Sequence, residues 1–167
     1  GILYDFSYIY RFALALSLRL GQATDETLID TDWGKVLPIY RAHLHPREER
    51  AWQLTRLLLE RMRVATMRAG ARLVVVCLPE HFQSEDRLWA QVAQSVEVLE
   101  RDAPNRALAD VVPEGTAYLD LLPGFQAAAQ RQALYYAQDH HFNAAGHALA
   151  ADLIATYLAA QGLLPES

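Results

Sequence analysis

The nine residues from Asp139 to His147 read Asp-His-His-Phe-Asn-Ala-Ala-Gly-His, and they combine an acid, two adjacent histidines and a helix start. A carboxylate two residues before an imidazole can orient the ring and stabilise its imidazolium form. Asp139 and His141 are therefore predicted to form an acid–base pair of the kind that activates a nucleophile in acyl transfer. His140, beside this pair, is a candidate substrate contact.

The residues that follow this pair predict a helix. Asn143 is a good N-cap, because its side-chain oxygen can accept from the backbone N–H of Ala145 or Gly146. Apolar residues then recur at intervals of three and four, and Gly162 follows the last of them. The helix is thus expected to begin at Ala144, which leaves the acid and the histidines on a loop where they can face a cleft.

The pattern Asp139-x-His141-x-Asn143-x-x-Gly146-His147 resembles the C-terminal block of the SGNH, or GDSL-type, hydrolases. The spacing is similar to the subgroup that includes glycan O-acetyl esterases and acetyltransferases. The resemblance implies a three-layer α/β/α, flavodoxin-like fold with a parallel sheet. It also implies that His141 is the catalytic base, that Asp139 orients it, and that Asn143, Gly146 and His147 are structural.

The activity implied by the resemblance is the hydrolysis or transfer of an acyl group. The substrate would be a small ester or an acylated glycan, and no cofactor or metal would be required. Such enzymes use a nucleophilic serine in a Gly-Asp-Ser segment and an asparagine as an oxyanion donor. This sequence has no Gly-Asp-Ser segment, and its only asparagines are Asn105 and Asn143. We therefore expect a fold that is incomplete at the N-terminus, a nucleophilic serine upstream of this chain, and an isolated chain that is inactive.

Two other functions remain open at this stage. The chain could be a non-catalytic binding or interaction module that keeps the SGNH scaffold without its nucleophile. It could also support metal-assisted hydrolysis through Asp139, His140, His141 and His147. The second alternative is disfavoured, because adjacent histidines point in different directions and the recognised zinc-ligand spacings are absent.

Composition narrows the class of protein. The chain has 167 residues, of which 52% are hydrophobic and 21% charged, as expected for one soluble globular domain or part of one. A net charge of −5 argues against a nucleic-acid partner. The single cysteine, Cys77, excludes an intrachain disulfide.

No apolar run is long enough to predict a transmembrane span, and an extracytoplasmic location would need an upstream signal or anchor.

The chain divides into three predicted parts. Residues 1–45 hold an amphipathic helix, which we expect to pack on its own domain, and a connecting loop. Residues 46–162 form the SGNH-like part, and residues 163–167 are a tail. A helix of about twenty residues is predicted after Pro46. Its predicted apolar stripe is Trp52, Thr55, Leu58, Leu59, Met62, Ala65, Thr66 and Ala69.

Two β-branched or apolar runs predict strands, at residues 72–78 and 117–122. The first run lacks polar alternation, so it is expected to be buried on both faces of a parallel sheet. Helices are predicted at residues 85–102 and 124–132. Together with the helix after Pro46, this order indicates an α/β fold.

The loop at residues 79–86 follows the first predicted strand. It is expected at the carboxyl edge of the sheet, where open α/β folds bind ligands. Glu80 and His81 are therefore candidate substrate contacts. Ser84 lies in the same loop, but it is a weak candidate nucleophile because no Gly-x-Ser-x-Gly context surrounds it.

Overall fold

The computed structural model describes residues 36–94, 98–137 and 141–164, which belong to a compact unit running from Val36 to Ser167. The amphipathic helix predicted within residues 1–45 lies outside the described residues, as do Asp139 and His140. The division of the chain into residues 1–45, 46–162 and 163–167 stays a prediction.

The described residues alternate helices with two strands. After a short 3-10 helix, Leu37–Tyr40, the elements are α1 (Pro46–Arg68), β1 (Val74–Cys77), α2 (His81–Ser84), α3 (Asp86–Val92), α4 (Ala103–Val111), β2 (Ala117–Asp120), α5 (Leu122–Ala129) and α6 (Ala144–Ala160). The helix–strand order confirms the predicted α/β class.

The two strands form a parallel pair. Val74 lies opposite Ala117 and Cys77 lies opposite Asp120, so both strands end at the same edge. The sequence predicted strands of seven and six residues, the first of them buried on both faces. The observed strands have four residues each, and all eight residues are half-buried. β1 pairs with only one strand among the described residues, so the prediction of full burial is wrong there.

Helix α1 begins where the sequence predicts, with Pro46 at its first position and Glu48 and Glu49 in its first turn. These residues suit a helix start, since proline needs no N–H partner there and acids complement the helix dipole. The predicted stripe is partly wrong. Leu58 and Met62, two members of this stripe, are 50% and 51% exposed. Helix α1 packs against α4 through a face of the helix beside this stripe.

The predicted length of the helix at residues 85–102 is also wrong. Helix α3 ends at Val92, and the chain is extended where it meets the segment before α1. Leu99 forms an antiparallel bridge with Arg41, and the N–H of Glu100 donates to the carbonyl of Tyr40 at 2.7 Å. These backbone hydrogen bonds replace the helical ones. Helix α4, at 103–111, was not predicted.

Helix α5 starts two residues earlier than predicted, directly after β2. The carboxylate of Asp120 accepts from the N–H of Leu122 at 2.9 Å, and Pro123 occupies the first turn of the helix. A core then forms where α5, α6 and the segment between them meet. Its buried residues are Leu121, Phe125, Leu134, Tyr135 and Ala150.

Candidate functional site

The start of α6 is fixed by Asn143. Its side-chain oxygen accepts from the N–H groups of Ala145 at 2.8 Å and Gly146 at 3.0 Å, which confirms the predicted N-cap. Its amide nitrogen donates to the carbonyls of Ala133 at 2.9 Å and Tyr135 at 3.2 Å. One side chain therefore joins the first turn of α6 to the segment that precedes the histidine loop.

Gly146 allows this segment to lie against the helix. A Cβ atom at this position would be 2.1 Å from the backbone oxygen of Leu134 and 3.0 Å from Cβ of Phe142. Real side chains do not approach a carbonyl oxygen this closely, so a larger residue would displace the segment. Glycine is required here for close packing.

His141 is exposed and lies just before α6. Its backbone carbonyl accepts from the N–H of Tyr136 at 3.0 Å, and the next residue, Phe142, forms an antiparallel bridge with Tyr135. The backbone of His141, the candidate base, is therefore held by hydrogen bonds to the segment at Tyr135 and Tyr136, which precedes its loop. The pairing of His141 with Asp139 stays a prediction, because Asp139 lies outside the described residues.

His147 occupies the first turns of α6 and is exposed. Its ring meets the ring of Phe142 edge-on, with centroids 5.7 Å apart, and its N–H donates to the carbonyl of Asn143. Both contacts belong to the packing of the helix start.

Tyr135 is the residue that sequence reasoning missed. Its ring is 4% exposed, and its hydroxyl donates to the carbonyl of Pro79 at 2.8 Å and shares a hydrogen bond of 3.0 Å with Ser84. Burial raises the pKa of the Tyr135 phenol, so the hydroxyl keeps its proton and remains a donor. No sequence motif marks this residue. Its position between the loop after β1 and the loop of His141 is a product of tertiary packing.

The loop after β1 brings His81 to the same place. The imidazole of His81 stacks on the ring of Tyr135, with centroids 4.4 Å apart and planes 13° apart. Its Nε2 atom is 2.8 Å from a carboxylate oxygen of Glu85. Glu80 lies immediately before α2, where its N–H donates to the side-chain oxygen of Gln83 at 2.9 Å.

Ser84 is buried, with 2% of its surface exposed. Its hydroxyl lies 3.3 Å from the carbonyl of Glu80 and 3.0 Å from the hydroxyl of Tyr135. It is the only serine in the part of the chain that the structure describes. This burial and these contacts are those of a packing residue.

The ends of the two strands are joined by a buried amide. Asn105, which is 3% exposed, donates to the carboxylate of Asp120 at 2.7 Å and lies 3.5 Å from the sulfur of Cys77. Its side-chain oxygen accepts from Gln83 at 2.8 Å. These bonds leave the amide engaged in structure and unsuited to stabilise an oxyanion. Burial raises the pKa of the Cys77 thiol most, and the nearby Asp120 carboxylate raises it further. The thiol therefore stays protonated.

A cleft among the described residues lies at the opposite edge of the sheet. It has a volume of about 420 Å³, and its lining includes Arg63, Arg72, Thr116 and Tyr157. Because its lining includes the first residue of β2, it is remote from the ends of the strands where the histidine loop lies. We therefore assign it no part in the candidate site.

None of the helices in the described residues is both long and apolar enough to span a membrane. Among them, no three histidine, cysteine or acidic side chains are grouped as metal ligands would be.

An α/β fold with a histidine just before its last described helix is the arrangement that the resemblance to the SGNH hydrolases implies. Residues 40–167 match the family model described as the SGNH hydrolase-like domain of acetyltransferase AlgX, and the chain belongs to this family. The match confirms the resemblance drawn from the Asp139–His147 pattern. Comparisons with curated proteins and with solved structures give no significant match.

Proposed function

We propose that His141 is the general base of an acyl-transfer reaction, with Asp139 as its orienting acid and a serine outside this chain as nucleophile. Family membership supports a reaction of the acyl-transfer or hydrolysis class. The observation that supports the role of His141 most strongly is its position. It is exposed on a loop whose following residues are tied down by Asn143 and Tyr135.

The proposed chemistry follows from this arrangement. The serine Oγ attacks the ester carbonyl while His141 takes its proton, and the tetrahedral intermediate collapses as His141 returns that proton to the leaving alcohol. Water or an acceptor hydroxyl then attacks the acyl-enzyme while His141 takes its proton, and the ester bond to the serine Oγ breaks as His141 returns that proton to the serine. A carboxylate at Asp139 would stabilise the imidazolium formed in both steps.

The proposed substrate is a small ester or an acylated glycan, with an O-acetyl group as the acyl unit. An acetyltransferase-like family is consistent with such a substrate. Glu80 and His81 lie beyond the carboxyl end of β1, the edge where open α/β folds bind ligands. We propose them, together with His140, as residues that contact the substrate.

The test is the hydrolysis of p-nitrophenyl acetate by the natural full-length protein. We expect His141→Ala to lower kcat by about 10³-fold or more, and Asp139→Asn to lower it by roughly 10²- to 10⁴-fold. His43→Ala is the matched control, because His43 is also exposed but precedes α1. Equal rates for the wild-type protein and His141→Ala would overturn the proposal and favour a binding module.

A further inference from the structure

Helix α1 is basic, although the chain as a whole is acidic. The helix contains six arginines and three glutamates, which give it a net charge of +3, whereas the net charge of the chain is −5. Two of the three glutamates already face arginines, since Glu60 pairs with Arg63 at 2.6 Å and Glu48 lies 4.0 Å from Arg41. Within the described residues, the other five arginines of α1 form no ion pair with an acidic side chain.

The same helix exposes large apolar side chains. Four of them are at least half exposed: Leu54 at 57%, Leu57 at 63%, Leu58 at 50% and Met62 at 51%. A single exposed leucine needs no explanation, but four large apolar residues within two and a half turns of helix form a contiguous patch. Helix α1 packs against α4 through its half-buried side, so this patch faces solvent.

Arginines and apolar side chains share one face of α1. At about 100° per residue, the four apolar residues lie within an arc of about 140°. Four exposed arginines lie in the same arc: Arg47, Arg50, Arg61 and Arg68. All three glutamates of the helix fall outside it. These eight residues form the α1 basic face, which has an apolar centre, cations towards both ends and no acidic side chain.

From this composition we propose that the α1 basic face docks the protein on the surface of an anionic lipid bilayer. The helix lies in the plane of the interface, where its leucines and Met62 enter the boundary between headgroups and acyl chains. The arginines bind lipid phosphates, because a long apolar stem lets the guanidinium reach the headgroups while the helix itself sits lower. This proposal does not rest on the role of His141 or on the reaction class.

The dimensions of the face favour a bilayer over a partner helix. The apolar stretch from Leu54 to Met62 covers little more than one heptad, whereas a coiled-coil seam repeats over three or four. The arginines extend over about 30 Å of the helix, from Arg47 to Arg68. A protein would have to place an acid opposite each of them. A bilayer presents phosphates along the whole length without a fixed register.

The distribution of charge also gives the protein one orientation on such a surface. Because the net charge of −5 includes the +3 of α1, the remainder of the chain is acidic and is repelled by anionic lipid. At physiological ionic strength these forces act over about 8 Å, so the face nearest the bilayer decides the outcome. Only the α1 basic face combines attraction with an apolar patch among the described residues.

The first test is flotation of the natural full-length protein with phosphatidylcholine vesicles that contain about 30% phosphatidylglycerol. The double variant Arg50→Ala/Arg61→Ala is expected to bind roughly 10- to 30-fold more weakly, since each cation near an anionic bilayer contributes about fivefold. Arg56→Ala is the matched control, because Arg56 is exposed on the same helix but lies outside the arc. Its affinity should equal that of the wild-type protein. These three side chains are exposed, so thermal unfolding should be unchanged in both variants.

The second test reports on α1 itself and does not depend on any other part of the protein that binds lipid. The fluorophore NBD is attached to a cysteine introduced by Leu57→Cys or, as the control, by Arg56→Cys, each in a background without other reactive thiols. With the anionic vesicles, the emission of the label at position 57 should shift to the blue and brighten. The label at position 56 should keep its emission in water, and high salt should reverse the shift at position 57.

Three results would overturn the proposal. One is an NBD spectrum at position 57 that the vesicles leave unchanged, or that changes equally at position 56. Another is equal lipid affinity in Arg50→Ala/Arg61→Ala and Arg56→Ala. The third is a folded protein that ignores the vesicles and forms a salt-sensitive complex with an acidic protein, since the face would then serve protein docking.

Discussion

The rings of His81 and Tyr135 lie parallel, with centroids 4.4 Å apart, and this stack joins the loop after β1 to the segment before His141. Tyr135 reinforces the junction by donating from its hydroxyl to the carbonyl of Pro79. Two loops that are more than fifty residues apart in the sequence therefore share one buried side chain. The candidate site depends on this packing as much as on its own polar residues.

The first prediction concerns the cap of α6. Asn143→Ala removes the two hydrogen bonds to the helix N-terminus and leaves the carbonyls of Ala133 and Tyr135 without their donor. We expect the free energy of unfolding to fall by about 2–3 kcal/mol, of which the cap accounts for about 1 kcal/mol. Chemical denaturation provides the measurement.

The matched variant is Asn143→Asp. A carboxylate still accepts from the helix N–H groups, but it cannot donate to the two carbonyls. Its destabilisation should therefore be smaller than that of Asn143→Ala. Equal stability of Asn143→Ala and the wild-type protein would show that the cap does not hold this segment.

The second prediction concerns the close approach at Gly146. Alanine normally stabilises a helix interior by about 1 kcal/mol relative to glycine. At this position the new Cβ would lie 2.1 Å from the oxygen of Leu134, so the clash outweighs that gain. We expect Gly146→Ala to destabilise the protein by about 1–3 kcal/mol in thermal or chemical unfolding.

Gly124→Ala is the control for Gly146→Ala. Its Cβ would meet the methyl group of Leu153 at 2.7 Å, and that side chain can rotate away. The loss of stability should therefore be clearly smaller than at Gly146. A neutral or stabilised Gly146→Ala would contradict the packing described for Leu134.

The third prediction concerns stability at alkaline pH. Burial raises the pKa of Tyr135 above its ordinary value of 10.0, and the same holds for Tyr40 and Tyr118. The unfolded chain then loses phenolic protons at a lower pH than the folded chain. Stability is therefore constant with respect to these groups below about pH 10 and falls as the pH rises above it.

The test is the slope of the unfolding free energy against pH above 10. Each buried phenol that is still protonated contributes up to about 1.4 kcal/mol per pH unit to this slope. Tyr135→Phe should reduce the slope by up to that amount, although it also removes the hydrogen bonds to Pro79 and Ser84. An identical slope in the wild-type protein and Tyr135→Phe would contradict the burial of the phenol.

Local signals in the sequence were sufficient to predict where several helices begin or end. Pro46 at the start of α1, Asn143 at the start of α6 and Gly162 after its end all act through neighbouring backbone groups, so their roles can be inferred from sequence. The Asp139–His147 pattern likewise led to the family that the match over residues 40–167 shows.

The other features depend on contacts that are distant in sequence. Leu99 fits a helical stripe, but its backbone pairs with Arg41. Leu54, Leu57 and Leu58 make α1 apolar on more than one side, so periodicity alone could not select the packed face. The stack of His81 on Tyr135 joins residues from two different loops, and no spacing rule predicts it.

The most direct test of the central claim is the intact mass of the full-length protein after exposure to a fluorophosphonate, with peptide mapping of the adduct. We predict one adduct, on a serine that is not one of the five in this chain, which forms at least about 100-fold more slowly in His141→Ala. Such a result would identify a serine nucleophile activated by His141. Labelling that is equally fast without His141, or the absence of any adduct, would contradict the assignment of His141 as catalytic base.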